Sequence, residues 1–168
     1  MDTGTSSINA VMQFYSYKID TFSYTMKKDF NLLQINAPIN PICWDINMSI
    51  RIPEFHKVHD KYICGMDVIV SLHDSNIEER DRNESNALLK MNAGIAGIFG
   101  FDNSSEVSND LKLKLIKVQA FAILLPYLRG SVTAFVANSG FGTFIFPLIN
   151  VQNMAEVYLK DLDIKVIE

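Results

Sequence analysis

Two stretches of this chain alternate apolar and polar residues without a fault, and that alternation limits the fold more than any other feature. Trp44, Ile46, Met48, Ile50 and Ile52 fall on one face of an extended segment, with Asp45, Asn47, Ser49 and Arg51 on the other. Tyr62, Cys64, Met66, Val68, Val70 and Leu72 repeat the pattern after a connection the size of a hairpin, Pro53–Asp60. The spacing therefore predicts strands over Trp44–Ile52 and Tyr62–Leu72. Two more extend the sheet. An aromatic-rich segment, 14–26, alternates through Tyr15, Tyr17 and Ile19. It then changes phase to Phe22, Tyr24 and Met26, which calls for a bulge near Asp20–Phe22. A fourth strand runs from about Leu88 to Phe101. Leu89, Met91, Ala93, Ile95 and Phe99 share one side, and Gly94, Gly97 and Gly100 imply a bulge or a close backbone approach.

After the polar stretch Asp102–Asp110 the period becomes helical. Leu111, Leu115, Val118, Ala122 and Leu125 form one stripe; Phe121, Leu128, Val132 and Phe135 form a neighbouring one. Ser108 or Asn109 caps the start. Pro126 predicts a kink or break near Ile123–Leu125, and Asn138-Ser139-Gly140 a stop. An apolar loop, Phe141–Val151, leads to a short final helix over about Asn153–Leu162, with a fraying tail to Glu168. Strands first and helices second define an α+β fold. The expected architecture is a four-stranded antiparallel sheet, a long Pro126-kinked helix and a short C-terminal helix, in a single domain over residues 1–168.

Composition narrows the function classes. The chain has 168 residues, 48% apolar, with fifteen basic against nineteen acidic residues and a net charge of −4. That balance argues against a nucleic-acid backbone as the main partner. Cys43 and Cys64 lack metal-ligand spacing. No basic start and apolar run marks a signal peptide in residues 1–10. The uncharged stretch Gly130–Ala155 is interrupted by Asn138, Gly140, Pro147 and Asn150, so membrane insertion is not expected and the location is taken as cytoplasmic.

Catalytic patterns are scarce. His56 and His59 are three apart but lie in the expected hairpin with no third ligand, and His73 follows a strand into the charged loop 74–86. There is no phosphate loop and no nucleophile elbow. No enzyme activity, metal or cofactor is expected. What stands out is apolar residues in loops: Leu32, Leu33 and Ile35 in a crossing loop over 29–41, and Phe141, Phe144 and Phe146 after the long helix. Side chains of this kind in loops favour a surface kept for a partner.

Four segments resemble a known family. Ala96-Gly97-Ile98-Phe99 is similar to a Gly-Gly-Ile-Phe element of the SecB family of protein-export chaperones. Leu124-Leu125-Pro126-Tyr127-Leu128-Arg129 is similar to that family's Phe-Pro-Tyr-Ala-Arg, and Val136-Ala137-Asn138-Ser139-Gly140-Phe141 to the approach to its Gly-Gly-Phe-Pro-Pro loop. Phe146-Pro147-Leu148-Ile149-Asn150-Val151 is similar to its Pro-Val-Asn-Phe turn. The four are in register over about fifty-five residues. The resemblance implies an ATP-independent holdase that keeps unfolded clients or preproteins soluble, or that protects an antitoxin, and that assembles as a dimer of dimers. It implies client-binding positions at Trp44, Ile46 and Met48 on the second strand and Leu89, Met91, Ala93 and Ile95 on the fourth, with Leu32, Leu33 and Ile35 as a wall. The family's acidic patch for the SecA motor falls on Lys90 and Asn92, and its first-strand Glu on Ser23 or Tyr24, which leaves SecA a doubtful partner. The competing expectations are a small-ligand binder of acyl type, with Asp110 or Glu106 near the helix start, and an adaptor for one folded partner.

Overall fold

The fold is given by a computed structural model that describes residues 11–27, 42–102, 107–139, 144–159 and 163–168. Six strands form one sheet: β1 (Met12–Met26), β2 (Ile42–Ile50), β3 (Glu54–His56), β4 (Lys61–Asp74), β5 (Leu89–Phe101) and β6 (Lys165–Ile167). The order is β1-β5-β4-β3-β6, with β2 also on β4. At fourteen residues, β4 is long enough to pair with β3 through Lys61–Ile63 and with β2 through Met66–Asp74 along the same side. All pairings are antiparallel except β3 with β6.

The four long antiparallel strands are the expected ones. The sheet itself is larger and mixed, because two pieces of irregular-looking sequence pair with each other. Glu54–His56, inside the expected hairpin, forms β3. The expected fraying tail lies beside it as β6, joined by the Lys165 N–H donating to Pro53 O at 3.0 Å and the Lys57 N–H donating to Ile167 O at 3.1 Å. Lys165 also pairs with Glu54 at 2.9 Å.

Helix α1 runs Asn109–Asn138. Ser108 caps it, its hydroxyl accepting from the Leu111 N–H at 3.3 Å. The helix passes through Pro126 without a break. Its irregularity comes earlier, as a π-helical turn over Leu115–Gln119. Of the two expected stripes, Phe121, Leu128 and Val132 of the second are buried, while Leu111, Leu115, Val118 and Ala122 of the first are not. Ile116, Ala120, Leu124, Leu128, Val132 and Val136 recur every fourth residue and all lie at 0% exposure, whereas Leu111 is 45% exposed. Four residues per step overshoots an ideal turn of about 3.6, and the wider π turn takes up part of that drift. By length and composition α1 could cross a membrane. Here its stripe packs on β4 and β5.

Helix α2 (Val151–Leu159) lies over β2 instead. The core thus sits between one face of β4–β5 and α1, with Met66, Leu72, Met91 and Phe99 at its centre.

The opposite face of the sheet carries Ile69 and Ile98, each 38% exposed, among polar residues knit by charge. The expected bulge is present, with a register shift between Ile19 and Thr21 that leaves Asp20 opposite no residue of β5. A second shift lies between Phe14 and Ser16. Arg51 crosses the sheet to reach Asp20, Nη1 to Oδ2 at 2.5 Å and Nη2 to Oδ1 at 2.9 Å, and reaches Asp67 through Nε at 2.8 Å. Its path runs over Gly94: a Cβ there would stand 2.5 Å from Asp67 Oδ1 and 3.0 Å from Asp20 Oδ1. The bond to Arg51 holds the Asp20 carboxyl below the usual carboxylate range, against the opposing effect of burial.

A group whose folded pKa is lowered stabilises above its unfolded value, about 3.9, and the contribution fades as pH falls through the lowered folded value. Arg51→Met is therefore expected to cost about 1 kcal/mol near neutral pH, the upper end for a partly exposed pair with bidentate geometry. The difference from the parent chain should be smaller in acid, below the ordinary carboxylate value, than near neutral pH. Urea midpoints at the two pH values check this; a gap of the same size at both would dismiss the ion pair as its source.

Candidate apolar groove

The helix cover is uneven, and the candidate site lies where it is thinnest. β5 is roofed by α1, so Leu89, Met91, Ala93 and Ile95 lie at 0–1% exposure in the core. These four residues line no surface groove. Their alternation reports a face buried by the chain's own helix. Leu32, Leu33 and Ile35 lie outside the described residues. The three positions on β2 behave differently: Trp44 and Ile46 are half-buried and Met48 is 8% exposed, next to open space.

That space is a groove of about 460 Å³ between β2, the segment 147–150 and α2. Ile46 and Met48 form its floor. Pro147, Leu148 and Ile149 form one wall, and Met154, Val157 and Tyr158 the other. Leu148 is 91% exposed and Val157 71%. Asn150 and Asn153 are the remaining polar lining, so among the described residues no charged side chain borders the groove. The Asn150 side chain accepts from the Asn153 N–H at 3.0 Å, which fixes the entry to α2.

The wall is held from below. Phe144 and Phe146 are buried, with Phe144 against the Trp44 ring at a centroid distance of 4.7 Å. Arg129 of α1 donates to Phe146 O at 3.3 Å and lies over its ring. The loop phenylalanines are therefore anchors. Phe141 lies outside the described residues. The exposed large apolar side chains among the described residues of this loop are Ile145 and Leu148. Sequence reasoning missed Pro147, Leu148, Ile149, Met154, Val157 and Tyr158. The alternation Phe144-Ile145-Phe146 was the available signal: two rings turned inward leave the residue between them outside.

A second apolar cleft, of about 540 Å³, lies between the first turns of α1 and α2, lined by Leu111, Leu115, Val118, Ala155 and the Lys114 side chain. Asp110 is exposed in the first turn of α1, and Glu106 lies outside the described residues.

The histidines have structural surroundings. His73 is 3% exposed, with Nδ1 3.1 Å from Asn86 Oδ1 and Nε2 3.5 Å from Asp45, which Arg82 also holds at 3.0 Å. It pins the charged loop to the polar face. His56 Nε2 faces Glu54 at 3.6 Å. Among the described residues, no three His, Cys, Asp or Glu side chains are grouped to hold a metal. Burial pushes the Cys64 thiol well above its ordinary range, which makes it a poor nucleophile.

A mixed sheet of mostly antiparallel strands with helices on one face makes this an α+β fold, and it resembles the SecB-like fold. Among solved structures it is similar to the SecB-like chaperone of Mycobacterium tuberculosis in complex with a ChAD peptide from the HigA1 antitoxin. The identity is 7% and the TM-score 0.61, over 83% of this chain and 91% of that one. A Streptococcus agalactiae protein of unknown function also matches, at 10% identity and a TM-score of 0.33, over 82% of this chain and 97% of that one. No protein-family model and no curated protein sequence matches the chain.

Proposed function

We propose that this protein is an ATP-independent holdase that binds apolar, unfolded segments of other polypeptides along the β2–α2 groove. The observation that carries the reading is the groove itself: open, without a charged side chain among the described residues, and walled by Leu148 and Val157 at 91% and 71% exposure. A monomer rarely leaves such side chains together on its surface without a partner for them. The solved structure with the similar fold holds a peptide from an antitoxin, which supports a polypeptide client here. Met48 and Met154 suit a surface that repacks around varied clients. The reading is non-catalytic and cytoplasmic. It includes self-association through β1, whose Tyr15, Tyr17 and Phe22 are 44–52% exposed.

The polar sheet face favours client protection, as of an antitoxin, over docking of an export motor. Asp20 and Asp67 are both engaged by Arg51, and Asp45 by Arg82. Lys90 pairs with Glu84.

Two measurements test the reading. Stoichiometric protein is expected to suppress light scattering by a chemically denatured model enzyme diluted into buffer. Trp44 is the sole tryptophan and packs on Phe144, just ahead of the groove wall Pro147–Ile149, so client binding is expected to shift its emission to the blue. Unchanged scattering from folded protein would remove the holdase reading. The second cleft, with Lys114, Lys117 and Glu156 beside its apolar walls, is where an acyl-type ligand is the alternative. Native mass spectrometry showing a co-purified fatty acid would support it.

A further inference from the structure

We propose that the hollow beside the β3–β4 hairpin, on the sheet face away from α1, is a binding site for a small organic acid with an apolar body. It is separate from the β2–α2 groove and does not depend on the holdase reading.

Strand alternation builds its floor. Cys64 and Phe99 are buried on the helix side, so Ile63 and Ile98 turn to the other face, where the ladder sets them directly opposite each other. Two residues before Ile63 the outward position is Lys61, which stands opposite His56 of β3. The turn that follows β3 brings His59 alongside, its N–H donating to His56 O at 3.3 Å. These five side chains line a hollow of about 360 Å³. That size falls in the range of small-molecule pockets, about 300–1,000 Å³.

Two observations set the chemistry of the ligand. The lining joins two isoleucines to three nitrogen-bearing side chains, with no carboxylate among the described lining residues. Several other cations of this protein are spent on acids: Arg51 on Asp20 and Asp67, Arg82 on Asp45, Lys57 on Glu168 and Lys165 on Glu54. Lys61 has no such partner among the described residues; its ammonium lies 4.7 Å from the centre of the Tyr15 ring and donates to Asp60 O at 3.4 Å. The second observation is His56 Nε2, which is buried without a hydrogen-bond partner among the described residues. Glu54 stands 3.6 Å away, past hydrogen-bond reach, and its carboxylate accepts from Lys165 at 2.9 Å. Folded proteins rarely leave a buried polar atom in that condition. Water would satisfy the imidazole but leave Ile63 and Ile98 wet. A carboxylate on an apolar body answers both needs: its oxygens accept from the ring N–H and the ammonium, and its body covers the isoleucines.

Phenylbutyrate is the probe, and phenylbutyramide, the same body without the charge, is its control. Titrated into isotope-labelled protein, phenylbutyrate is expected to shift the amide resonances of His56, His59, Lys61, Ile63 and Ile98 and to leave those of Ile46, Met48 and Val157 in place. Phenylbutyramide is expected to bind about tenfold more weakly, because it lacks the charge-assisted bonds. Lys61→Met keeps the aliphatic stem beside Tyr15 and is expected to weaken phenylbutyrate about tenfold at an unchanged urea midpoint. His56→Gln is expected to weaken it to a similar degree; should that variant not fold, Lys61→Met and the pair of probes still decide. Equal affinities for acid and amide would overturn the site as one for acids. Shifts confined to Ile46, Met48 and Val157 would put the probe in the groove and overturn it as well. No shift up to about 10 mM phenylbutyrate, weaker than a millimolar site, would remove it altogether.

Discussion

Replacing Leu148 and Val157 together by Asp is expected to weaken client binding about a hundredfold or more while leaving the fold intact. Both side chains face solvent in the free protein, at 91% and 71% exposure. Their loss therefore costs the monomer little, within about 0.5 kcal/mol for surface changes of this type. In the complex each would contribute the burial of one large aliphatic side chain, about 1.5–3 kcal/mol, and 1.4 kcal/mol is a factor of ten in affinity. Asp adds the cost of drying a carboxylate against Ile46 and Met48. Calorimetric titration with an unfolded client reads the affinity, and the urea midpoint reads the fold. Full binding by the double variant would move the client site away from this groove. The second cleft, between α1 and α2, would then be next to test through Leu111→Asp.

The contrast between β2 and β5 explains how far the sequence could be read. Both strands alternate cleanly, and alternation reports only that one face is apolar. It carries no information about which helix lands there. The 30-residue α1 lies over β4 and β5, so Leu89, Met91, Ala93 and Ile95 are sealed. The nine-residue α2 covers β2 only in part, so Trp44 and Ile46 stay half-buried. The distinction depends on helix length and seating, which are long-range properties. The same limit hid β3 and β6. Three residues cannot display a period, and the Lys57–Glu168 and Lys165–Glu54 pairs join positions 111 residues apart. By comparison, the Asp20 bulge was legible because a phase shift within one strand is a local signal. On α1 the stripe through Phe121, Leu128 and Val132 was legible, and the one from Leu111 to Ala122 was misread because a helical period assumes a uniform turn, which the π turn at Leu115–Gln119 breaks.

Gly97→Val is expected to be the most destabilising single change in the helix–sheet seam, at about 3 kcal/mol. The glycine lies on the inner face of β5 directly under α1. A Cβ there would stand 2.6 Å from Leu124 Cδ2, 3.1 Å from Phe99 Cε2 and 3.2 Å from Phe14 Cε2. None of these neighbours has room to retreat: Leu124 and Phe99 are fully buried, and Phe14 is stacked on Phe99 with ring centroids 5.1 Å apart. The helix must lift or the rings must leave their rotamers, and either way contacts along the whole seam are lost. Gly130 supplies the internal control, since nothing lies within 4 Å of a Cβ at that exposed helical position. Gly130→Ala is expected to stabilise by about 0.5–1 kcal/mol through the helix term alone. Urea unfolding should thus show midpoints moving in opposite directions with similar slopes. The groove is built from β2, the segment 147–150 and α2, and α1 reaches it only through Arg129 at Phe146, so folded Gly97→Val protein should bind client with little change in affinity. A midpoint that stays put would mean that α1 does not sit on Gly97. A client affinity that falls with stability would mean that the seating of α1 also sets the shape of the groove.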